Sequence, residues 1–405
     1  MINLRMLKLS DPLLWLSGGG LVLISFFAIF SSSHAAQFVY VQRQSLALVV
    51  GLAALAIFAY LDYRQLKPAA PYFYGLMILL LTVILFGGSS AQGAQRWLAV
   101  GPFSFQPSEI SKLIMVVSLA AFFTAKRKLE NWWDIALLLV MVGLPFLLIF
   151  KQPDLGTALV FIAILVGMLT AAWSSPKLLI LLVTPMFSLL LRPVLWLWVL
   201  YILSLVLILF LLRASFWDWV LILGLNIIVG IALPFIWAML KGYQQQRIVA
   251  FLNPEADPYG AGYHSLQSKI AIGSGGFFGK GFLRGTQTQL QFIPEQHSDF
   301  IFSALGEEFG FIGAAFSLGL FAVFVWRAYV LAWQAPDFFG SLLAAGIAAM
   351  MSFHVFANVG MTLGLLPVVG IPLPFLSYGG SSLLMNLIAL GILQSLAMRR
   401  QKLIF

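Results

Sequence analysis

The chain has 405 residues, of which 61% are hydrophobic and 9% are charged, and its formal net charge is +9 at pH 7. This balance excludes a water-soluble domain and is typical of a polytopic membrane protein. Cysteine is absent from the sequence, which excludes disulfides and thiolate metal sites. The cations are dispersed between apolar runs, a pattern that favours orientation signals and anionic lipid over nucleic acid as the reason for the basic character.

In chain order, the first element is an apolar run that starts at Leu13, behind Arg5 and Lys8. It resembles a signal sequence, but no small-residue cleavage site follows it, so we expect an uncleaved first span. Further spans are predicted wherever an apolar run is long enough to cross about 30 Å of hydrocarbon. The twelve predicted spans are 13–31, 44–61, 71–87, 109–125, 134–150, 155–173, 178–192, 194–212, 217–240, 300–326, 340–365 and 379–397.

The distribution of cations orients these spans. With a cytoplasmic N-terminus, the segments predicted to lie inside carry 13 of the 23 lysines and arginines, including the clusters at 126–128 and 399–402. Short loops follow the positive-inside rule, whereas long loops escape it. We therefore predict a multi-pass protein with both termini in the cytoplasm and an even number of spans.

Three outer segments are unusual. Residues 88–108 are rich in Gly and Ser, and residues 366–382 in Pro, Gly and Ser. Irregular backbone of this kind is tolerated at a membrane edge where it is buried in protein or lines a wet cavity. Residues 241–299 form a loop of about 59 residues, and loops of that length are usually functional. We find no internal repeat in the sequence, which disfavours an inverted-repeat transporter.

An acid, Asp299, stands where the long loop meets the span 300–326. One interpretation is a helix N-cap, because Asp is favoured there and the helix dipole favours an anion. Glu295 and His297 lie in the same turn, and a carboxylate at this boundary could also take a proton from a sugar hydroxyl. The two roles are compatible.

Other acids lie inside or at the edge of apolar spans, where ionisable groups are costly and suggest a function. For Glu307 and Glu308 we favour a structural role as partners of an intramembrane cation. Glu109 and Lys112 are one helical turn apart, which allows either an internal ion pair or a lysine that binds phosphate in a cavity. Asp154 precedes an apolar run and is interpreted first as an N-cap.

The long loop carries cations that, as a set on the outer face, suit a diphosphate lipid: Arg247, Lys269, Lys280 and Arg284. Its Gly-rich run GSGGFFGKG at 273–281 lacks the GxxxxGK[ST] spacing and no predicted strand precedes it, so we reject a nucleotide site. The histidines have no ligand-like spacing, so we expect no zinc site. They stand at 34, 264, 297 and 354.

Seven motifs resemble, in the same order, those of the SEDS family (shape, elongation, division and sporulation). They are Gln95-Arg96-Trp97; Gln106-Pro107-Ser108-Glu109 with Lys112; KQPDLGTA at 151–158; Arg247 with DPYGAGYHSLQSKIAIGSGG at 257–276; GTQTQ at 285–289; PEQHSDFIF at 294–302; and LPFLSYGGSS at 373–382. Together they cover most of the chain. The pieces SKIAIGSGG and GTQTQ resemble the RodA group of the family more than its division paralogue FtsW.

The resemblance implies an all-α, SEDS-type helical bundle and an inverting peptidoglycan glycosyltransferase. Such an enzyme polymerises lipid II into β-1,4 glycan strands during cell elongation, on the outer face of the bacterial inner membrane. By the same resemblance, Asp299 matches the essential acid of the long extracellular loop. The polar residues implied to border the cavity are Glu109, Lys112, Asp154, Arg247, Gln267 and Ser377.

From this resemblance we expect Asp299 to be the general base, while a role as a metal ligand stays open. The leaving undecaprenyl diphosphate needs its charge stabilised, and a divalent cation, Mg²⁺ or Mn²⁺, could contribute. The expected partners are membrane lipids, a class B penicillin-binding protein transpeptidase and other membrane proteins of the elongation complex. The cations expected to bind the diphosphate are Lys112, Arg96, Arg247 and Lys269.

Two departures from the family pattern are visible. Members usually have about ten membrane-crossing spans, whereas residues 178–240 hold three apolar runs where one is expected, so we assign an inserted helical pair to 178–216. Many relatives carry Glu where this chain has Gln291, which leaves Asp299 as the stronger candidate for the acid. The expected organisation is a single integral membrane domain, 1–405, whose long extracellular loop 241–299 carries the catalytic acid.

Two other classes of function stay open at the level of the sequence. A transporter that flips lipid II would also place polar groups in a wet cavity, and a scaffold would have no chemistry of its own. Purified protein that makes glycan from lipid II would distinguish a polymerase from a transporter. A scaffold predicts that removing the charge of Asp299 or Lys112 is harmless.

Overall fold

The computed structural model describes residues 8–33, 37–87, 89–91, 94–100, 103–126, 132–172, 176–240, 242–252, 261–293 and 295–400. Within these ranges the chain is mainly helical, with three short strands. The helices are α1 (Pro12–Ser32), α2 (Gln37–Tyr60), α3 (Leu66–Gly87), α4 (Pro107–Ala125), α5 (Trp132–Lys151), α6 (Leu155–Ala171), α7 (Pro176–Leu191), α8 (Leu195–Leu211), α9 (Phe216–Met239), α10 (Gly242–Leu252), α11 (Ala261–Gly275), α12 (Thr286–Gln289), α13 (Ile301–Gln334), α14 (Phe338–Thr362) and α15 (Gly380–Arg399).

Nine of the helices in the described ranges are long and apolar enough to cross a membrane. The shorter apolar helices α6, α7 and α8 coincide with the predicted spans 155–173, 178–192 and 194–212. Every predicted span thus falls on an apolar helix, and the helical bundle of a multi-pass membrane protein is confirmed. The count of twelve stays a prediction, because helices of 16 or 17 residues are shorter than the roughly 20 residues that a crossing needs.

The chain divides into two compact units. The first comprises residues 1–168 and 250–405, and the second comprises residues 169–249. The inserted pair that we assigned to 178–216 falls in the second unit. Of the predicted site residues, Arg247 belongs to the second unit and all others belong to the first.

In the second unit, hydrogen bonds donated by polar side chains join α7, α8 and α9. The Tyr201 hydroxyl donates to the Thr184 carbonyl at 2.7 Å, and Asn226 Nδ2 donates to Thr184 Oγ1 at 2.9 Å. Trp198 Nε1 donates to Ser188 Oγ at 2.7 Å. Interhelical hydrogen bonds of this kind help apolar helices to associate in lipid.

In the first unit, α15 is the most buried of the candidate spans, with 89% of its apolar window inside the protein. Close packing against α2 depends on glycine at two positions. A Cβ at Gly51 would meet the Leu387 side chain, and one at Gly391 would lie 2.7 Å from the Leu55 carbonyl oxygen. Small residues let helix backbones approach in this way, and α15 therefore forms the core on which the site is built.

Two of the three segments that the sequence marked as unusual contain regular structure, whereas residues 366–379 are turns and irregular chain. Residues 88–108 hold a small antiparallel sheet with the order β1-β2-β3, formed by β1 (Ser89–Ala91), β2 (Ala94–Val100) and β3 (Phe103–Phe105). This sheet was not predicted, and its ladder satisfies backbone groups that an irregular chain would leave to water. The long loop likewise contains the helices α10, α11 and α12.

Helix α13 is broken at Gly310, where φ is 62° and ψ is −160°. The Gly-rich run after α11 fills the break. Gly281 N donates to the Glu308 carbonyl at 2.9 Å, and Phe311 N donates to the Gly276 carbonyl at 2.9 Å. Backbone groups freed by a break in a helix need such partners, so the run GSGGFFGKG has a structural role in supporting α13.

Candidate active site

The turn that carries Asp299 is held by the segment that precedes α15. Tyr378 N donates to the His297 carbonyl at 2.9 Å. The Ser377 hydroxyl donates to the Ser298 carbonyl at 2.6 Å. Ser377, which the sequence placed in the cavity, therefore binds the backbone next to the acid.

A third hydrogen bond fixes the acid itself. Asn358 Nδ2, on α14, donates to the Asp299 carbonyl at 2.9 Å and to the Ile371 carbonyl at 2.8 Å. Asn358 is fully buried, so this link is shielded from water. Three consecutive carbonyls, of residues 297 to 299, are thus bound by α14 and the segment before α15, which fixes the backbone of the acid.

The carboxylate of Asp299 lies beside a glycine. Gly370 has φ +69, and a Cβ there would lie 3.3 Å from Asp299 Oδ2. Asp299 is half-buried, so its carboxylate keeps access to a ligand. Helix α13 begins at Ile301 with Phe300 at the N-cap, so the interpretation of Asp299 as the N-cap is wrong. Asp299 instead lies in the preceding turn, where its N–H donates to the Glu295 carbonyl at 3.2 Å.

Glu109 and Lys112 form a buried ion pair that also includes a histidine. Lys112 Nζ lies 2.8 Å from Glu109 Oε1 and 2.9 Å from His354 Nε2, and the Lys112 side chain is 1% exposed. His354 Nδ1 lies 2.7 Å from the Met350 carbonyl oxygen, which can only accept. His354 therefore carries its proton on Nδ1, and its Nε2 accepts from the Lys112 ammonium. Of the two roles considered for Lys112, this arrangement is the internal ion pair.

Asp154 caps α6, as its sequence context indicated. Its carboxylate accepts from Thr157 N at 3.2 Å and from Thr157 Oγ1 at 3.0 Å. Gln106 Nε2 donates to Asp154 Oδ2 at 3.3 Å. Asp154 is buried, and it joins the start of α6 to the residue before α4.

The two acids inside α13 are structural. Glu307 is fully buried and accepts from Lys280 Nζ at 2.7 Å and from Thr288 N at 2.8 Å, so its prediction as the partner of a cation is confirmed. Glu308 is also buried, but in the described part of the chain it accepts from neutral groups, the Ser31 hydroxyl of α1 and Gln289 Nε2, so the prediction of a cation partner is not met at Glu308. Both acids therefore hold neighbouring segments onto α13.

The remaining predicted residues are distributed over several elements. Lys269 is exposed on α11, and its side chain lies across Gly364. Gln267, also on α11, is half-buried, and within the described ranges its Oε1 has no hydrogen-bond partner. Arg247 is exposed on α10 in the second unit. The side chain of Arg96, on β2, lies outside the described residues.

An aromatic cluster adjoins the turn of the acid. Tyr40 of α2 packs on His297 with ring centroids 4.4 Å apart, and on Tyr378 with centroids 4.8 Å apart. Burial lowers the pKa of His297, against the opposing charge of Glu295, so its imidazole is neutral at pH 7. Burial raises the pKa of Tyr378, while a hydrogen bond with Arg43 opposes the rise.

Sequence reasoning missed two residues of this site. The signal for His354 was present, because a lone histidine in an apolar span is an intramembrane ionisable group; only its metal-ligand spacing was considered. Asn358 stands four residues later on the same helix, and a buried amide there also needs partners. Its link to Asp299 crosses 59 residues of sequence, which no local pattern could reveal.

The residues at Asp299 can supply one ligand to a divalent ion. Within the described residues, no group of three or more His, Asp or Glu side chains is arranged to hold a metal. Mg²⁺ often binds through one or two carboxylates together with waters and substrate phosphates. Asp299 could therefore hold such an ion as one carboxylate ligand, with the other ligands supplied from elsewhere.

Comparison with known proteins identifies relatives along the whole chain. The model of the FtsW, RodA and SpoVE family, described as "Cell cycle protein", matches residues 10–201 and 173–402. Peptidoglycan glycosyltransferase MrdB of Escherichia coli K12 is 37% identical over 89% of this chain and 86% of that protein. Peptidoglycan glycosyltransferase RodA of Treponema pallidum is 35% identical over 96% of this chain and 98% of that protein.

A solved structure extends the similarity to three dimensions. It belongs to a study of how a peptidoglycan synthase complex coordinates polymerization and crosslinking. It superposes with a TM-score of 0.71 at 30% identity, and the match covers 96% of this chain and 98% of the other.

Proposed function

Because this chain belongs to the FtsW, RodA and SpoVE family of cell cycle proteins, we propose that it is a peptidoglycan glycosyltransferase that polymerises lipid II. One observation carries the assignment of the site. The half-buried carboxylate of Asp299 stands on a turn whose three consecutive carbonyls are bound by Tyr378, Ser377 and Asn358. A catalytic group held in this way loses little entropy when the substrate binds.

In the proposed reaction, Asp299 takes the proton of the 4-hydroxyl of an acceptor sugar. The hydroxyl oxygen attacks the anomeric carbon of a second lipid-linked sugar. The bond from that carbon to the diphosphate breaks, and its electron pair leaves with undecaprenyl diphosphate. Since the donor linkage is α and the product is β-1,4, a single displacement with inversion accounts for the stereochemistry.

The leaving diphosphate carries charge that must be stabilised. Lys269 is proposed as one of the stabilising cations, because it belongs to the first unit and is exposed on α11. Arg96 and Lys112, in the same unit, are the further cations that the family resemblance implies. If Asp299 served as a metal ligand and not as the base, it would hold a divalent ion, Mg²⁺ or Mn²⁺, whose charge would help to stabilise the diphosphate.

The proposed setting is the bacterial inner membrane, with Asp299 on the outer face and both termini in the cytoplasm. We propose a class B penicillin-binding protein as the crosslinking partner, together with other membrane proteins of the elongation complex. The similarity to a chain of a peptidoglycan synthase complex supports this partnership. Peptide crosslinks would then be made by the partner and glycan strands by this chain.

The decisive experiment compares two acids of one turn. Purified Asp299→Asn protein, mixed with lipid II and Mg²⁺ or Mn²⁺, is expected to lose at least about a hundredfold in rate, since a general base contributes about 10²–10⁴. Glu295→Gln removes the same charge four residues away, and we expect it to keep its activity. The polymer made from labelled lipid II is measured on gels.

The outcomes separate the alternatives. A folded Asp299→Asn protein that polymerises lipid II at the normal rate would rule out Asp299 as the general base. If the wild-type protein moved lipid II across vesicle membranes without forming glycan, the proposed glycosyltransferase activity would be ruled out and the protein would be a transporter. Titration of Mn²⁺ against wild type and Asp299→Glu tests the role of Asp299 as a metal ligand, which predicts that the Glu variant needs a higher Mn²⁺ concentration for activity.

A further inference from the structure

The aromatic cluster of Tyr40, His297 and Tyr378 has no task in the reaction derived above. The three rings contact one another, with His297 and Tyr378 centroids 5.4 Å apart at 58°. Tyr40 meets Tyr378 edge-on at 85°. All three side chains are half-buried, so the cluster reaches the surface of the protein as an aromatic patch.

The position of this patch relative to the acid is fixed by the backbone. His297 and Asp299 belong to the same turn, and the hydrogen bond from Tyr378 N to the His297 carbonyl, at 2.9 Å, joins that turn to the segment before α15. The same segment contains Gly370, against which the Asp299 carboxylate lies. The position of the patch relative to the carboxylate of Asp299 is therefore fixed by backbone hydrogen bonds.

Polar groups surround the patch. Arg43, one turn from Tyr40 on α2, is exposed and hydrogen-bonds with Tyr378. Gln44 accepts from Gly379 N at 3.3 Å through its Oε1. Gln44 is 1% exposed, and among the described residues its Nε2 has no acceptor. A buried donor without a partner is uncommon, and this one lies on a side chain whose amide oxygen contacts the residue next to Tyr378.

Half-buried tyrosine rings edged by arginine and amide donors suit one class of ligand. The C–H groups on one face of a pyranose form an apolar surface that packs on aromatic rings, while its hydroxyl and acetamido oxygens accept hydrogen bonds. We propose that Tyr40, His297 and Tyr378 form a binding subsite for an N-acetylated pyranose ring of the glycan substrate, with Arg43 and Gln44 as its donors.

This inference rests on the proposed function, and it names how one sugar of the substrate is held next to Asp299. Two sources present the same chemistry: the incoming lipid-linked disaccharide and the growing glycan strand. The neutral imidazole of His297 suits stacking on an uncharged sugar. The charge of Arg43 also favours a substrate whose sugar carries a carboxylate nearby.

The test uses the full-length purified protein in detergent, with lipid II and divalent ion. If the subsite holds the incoming sugar, we expect Tyr40→Ala to raise the KM for lipid II about three- to tenfold, because this is the effect of losing one aromatic contact. If it holds the growing strand, the KM stays normal and the glycan products become shorter. Either result supports the subsite. Tyr40→Phe keeps the ring and is expected to resemble the wild type.

The matched control is Tyr72→Ala, which removes a tyrosine of α3 that is 79% exposed. It should change neither the KM for lipid II nor the length of the glycan products. A Tyr40→Ala protein with a normal melting temperature, normal KM and normal strand length overturns the subsite. Wild-type protein that makes no glycan would overturn the proposed function instead, so the two failures are distinct.

A second measurement decides the matter if Tyr40→Ala unfolds. Saturation-transfer NMR with chitotetraose, a soluble β-1,4 oligomer of N-acetylglucosamine, should show transfer from the wild-type protein and a loss of at least about threefold in Arg43→Gln. Absence of transfer from the wild-type protein, or equal transfer from Arg43→Gln, overturns the subsite.

Discussion

Lys112 illustrates how a single residue can serve the fold, the reaction or both. Its ammonium lies in a buried pair with Glu109 Oε1 and on the lone pair of His354 Nε2, and Glu109 Oε2 has no partner within the described ranges. Ions buried at this depth are costly unless they are paired. The ion pair explains why the sequence tolerates two charges here. The diphosphate-binding role that the family resemblance implies for Lys112 is tested separately by substitution.

A pair of substitutions separates these roles. Lys112→Met should lower the free energy of unfolding by about 3–5 kcal/mol, because Glu109 is left charged and buried. The double variant Lys112→Met with Glu109→Gln should recover most of that loss, since neither charge is then unpaired. Thermal unfolding in detergent gives the stabilities, and lipid II polymerisation gives the activity of each protein.

The activity of the stable double variant decides the role of Lys112. Normal polymerisation would show that the pair is structural only, whereas a loss in a protein of recovered stability would assign Lys112 to the substrate. Lys177→Met breaks the Lys177–Asp218 pair of the second unit, in which the side chains are 35% and 25% exposed. As a partly exposed pair it should cost at most about 1 kcal/mol.

At the scale of elements, the sequence predicted the helices well because membrane spans follow from length and hydrophobicity alone. Even the apolar runs on either side of Pro193 were separated correctly into α7 and α8. It did not predict the break in α13, which depends on segments that meet in space. Glu307 was interpreted correctly as the partner of a cation, whereas the neighbouring Glu308 is bound by neutral donors instead.

The break in α13 explains why glycine is needed at position 310. A Cβ there would meet Gly279 N and would lie 2.8 Å from the Phe277 carbonyl oxygen, and φ 62° with ψ −160° is a conformation that side chains disfavour. We expect Gly310→Ala to lower the free energy of unfolding by about 2–5 kcal/mol, from strain and overpacking together. Thermal unfolding of the purified protein measures the change.

Gly319 provides the comparison on the same helix. A Cβ at Gly319 would meet nothing within 4 Å, so Gly319→Ala should be neutral or stabilise the protein by up to about 1 kcal/mol through helix propensity. Equal melting temperatures for Gly310→Ala and Gly319→Ala would contradict the inference that the break requires glycine at position 310.

The Gly-rich run GSGGFFGKG also shows why motif spacing alone could not reveal its purpose. Its hydrogen-bond partners lie on α13, about thirty residues further along the chain.

At the scale of the molecule, the two ends of α13 in the first unit lie next to residues of opposite charge. The turn of Asp299 precedes the helix, whereas Arg327 lies in its last turns and donates to the buried Asp11 at 3.0 Å. Asp11 in turn caps α1 and accepts from Leu13 N at 3.1 Å. Asp299 and Arg327 thus lie toward opposite ends of α13, as the positive-inside rule requires if Asp299 faces outward.

The absence of cysteine allows a direct test of this orientation with single introduced thiols. Glu295 lies in the turn of the acid with 46% of its side chain exposed, and Lys126 lies just beyond α4 with 49% exposed. In cells with a permeabilised outer membrane and an intact inner membrane, a membrane-impermeant maleimide should label Glu295→Cys at once. Lys126→Cys should react only after lysis. The unaltered chain gives the background, and glycan synthesis by both variants confirms their folding. Labelling of Lys126→Cys in intact cells, with Glu295→Cys protected, would invert the topology and remove Asp299 from the face where the lipid-linked sugar is presented.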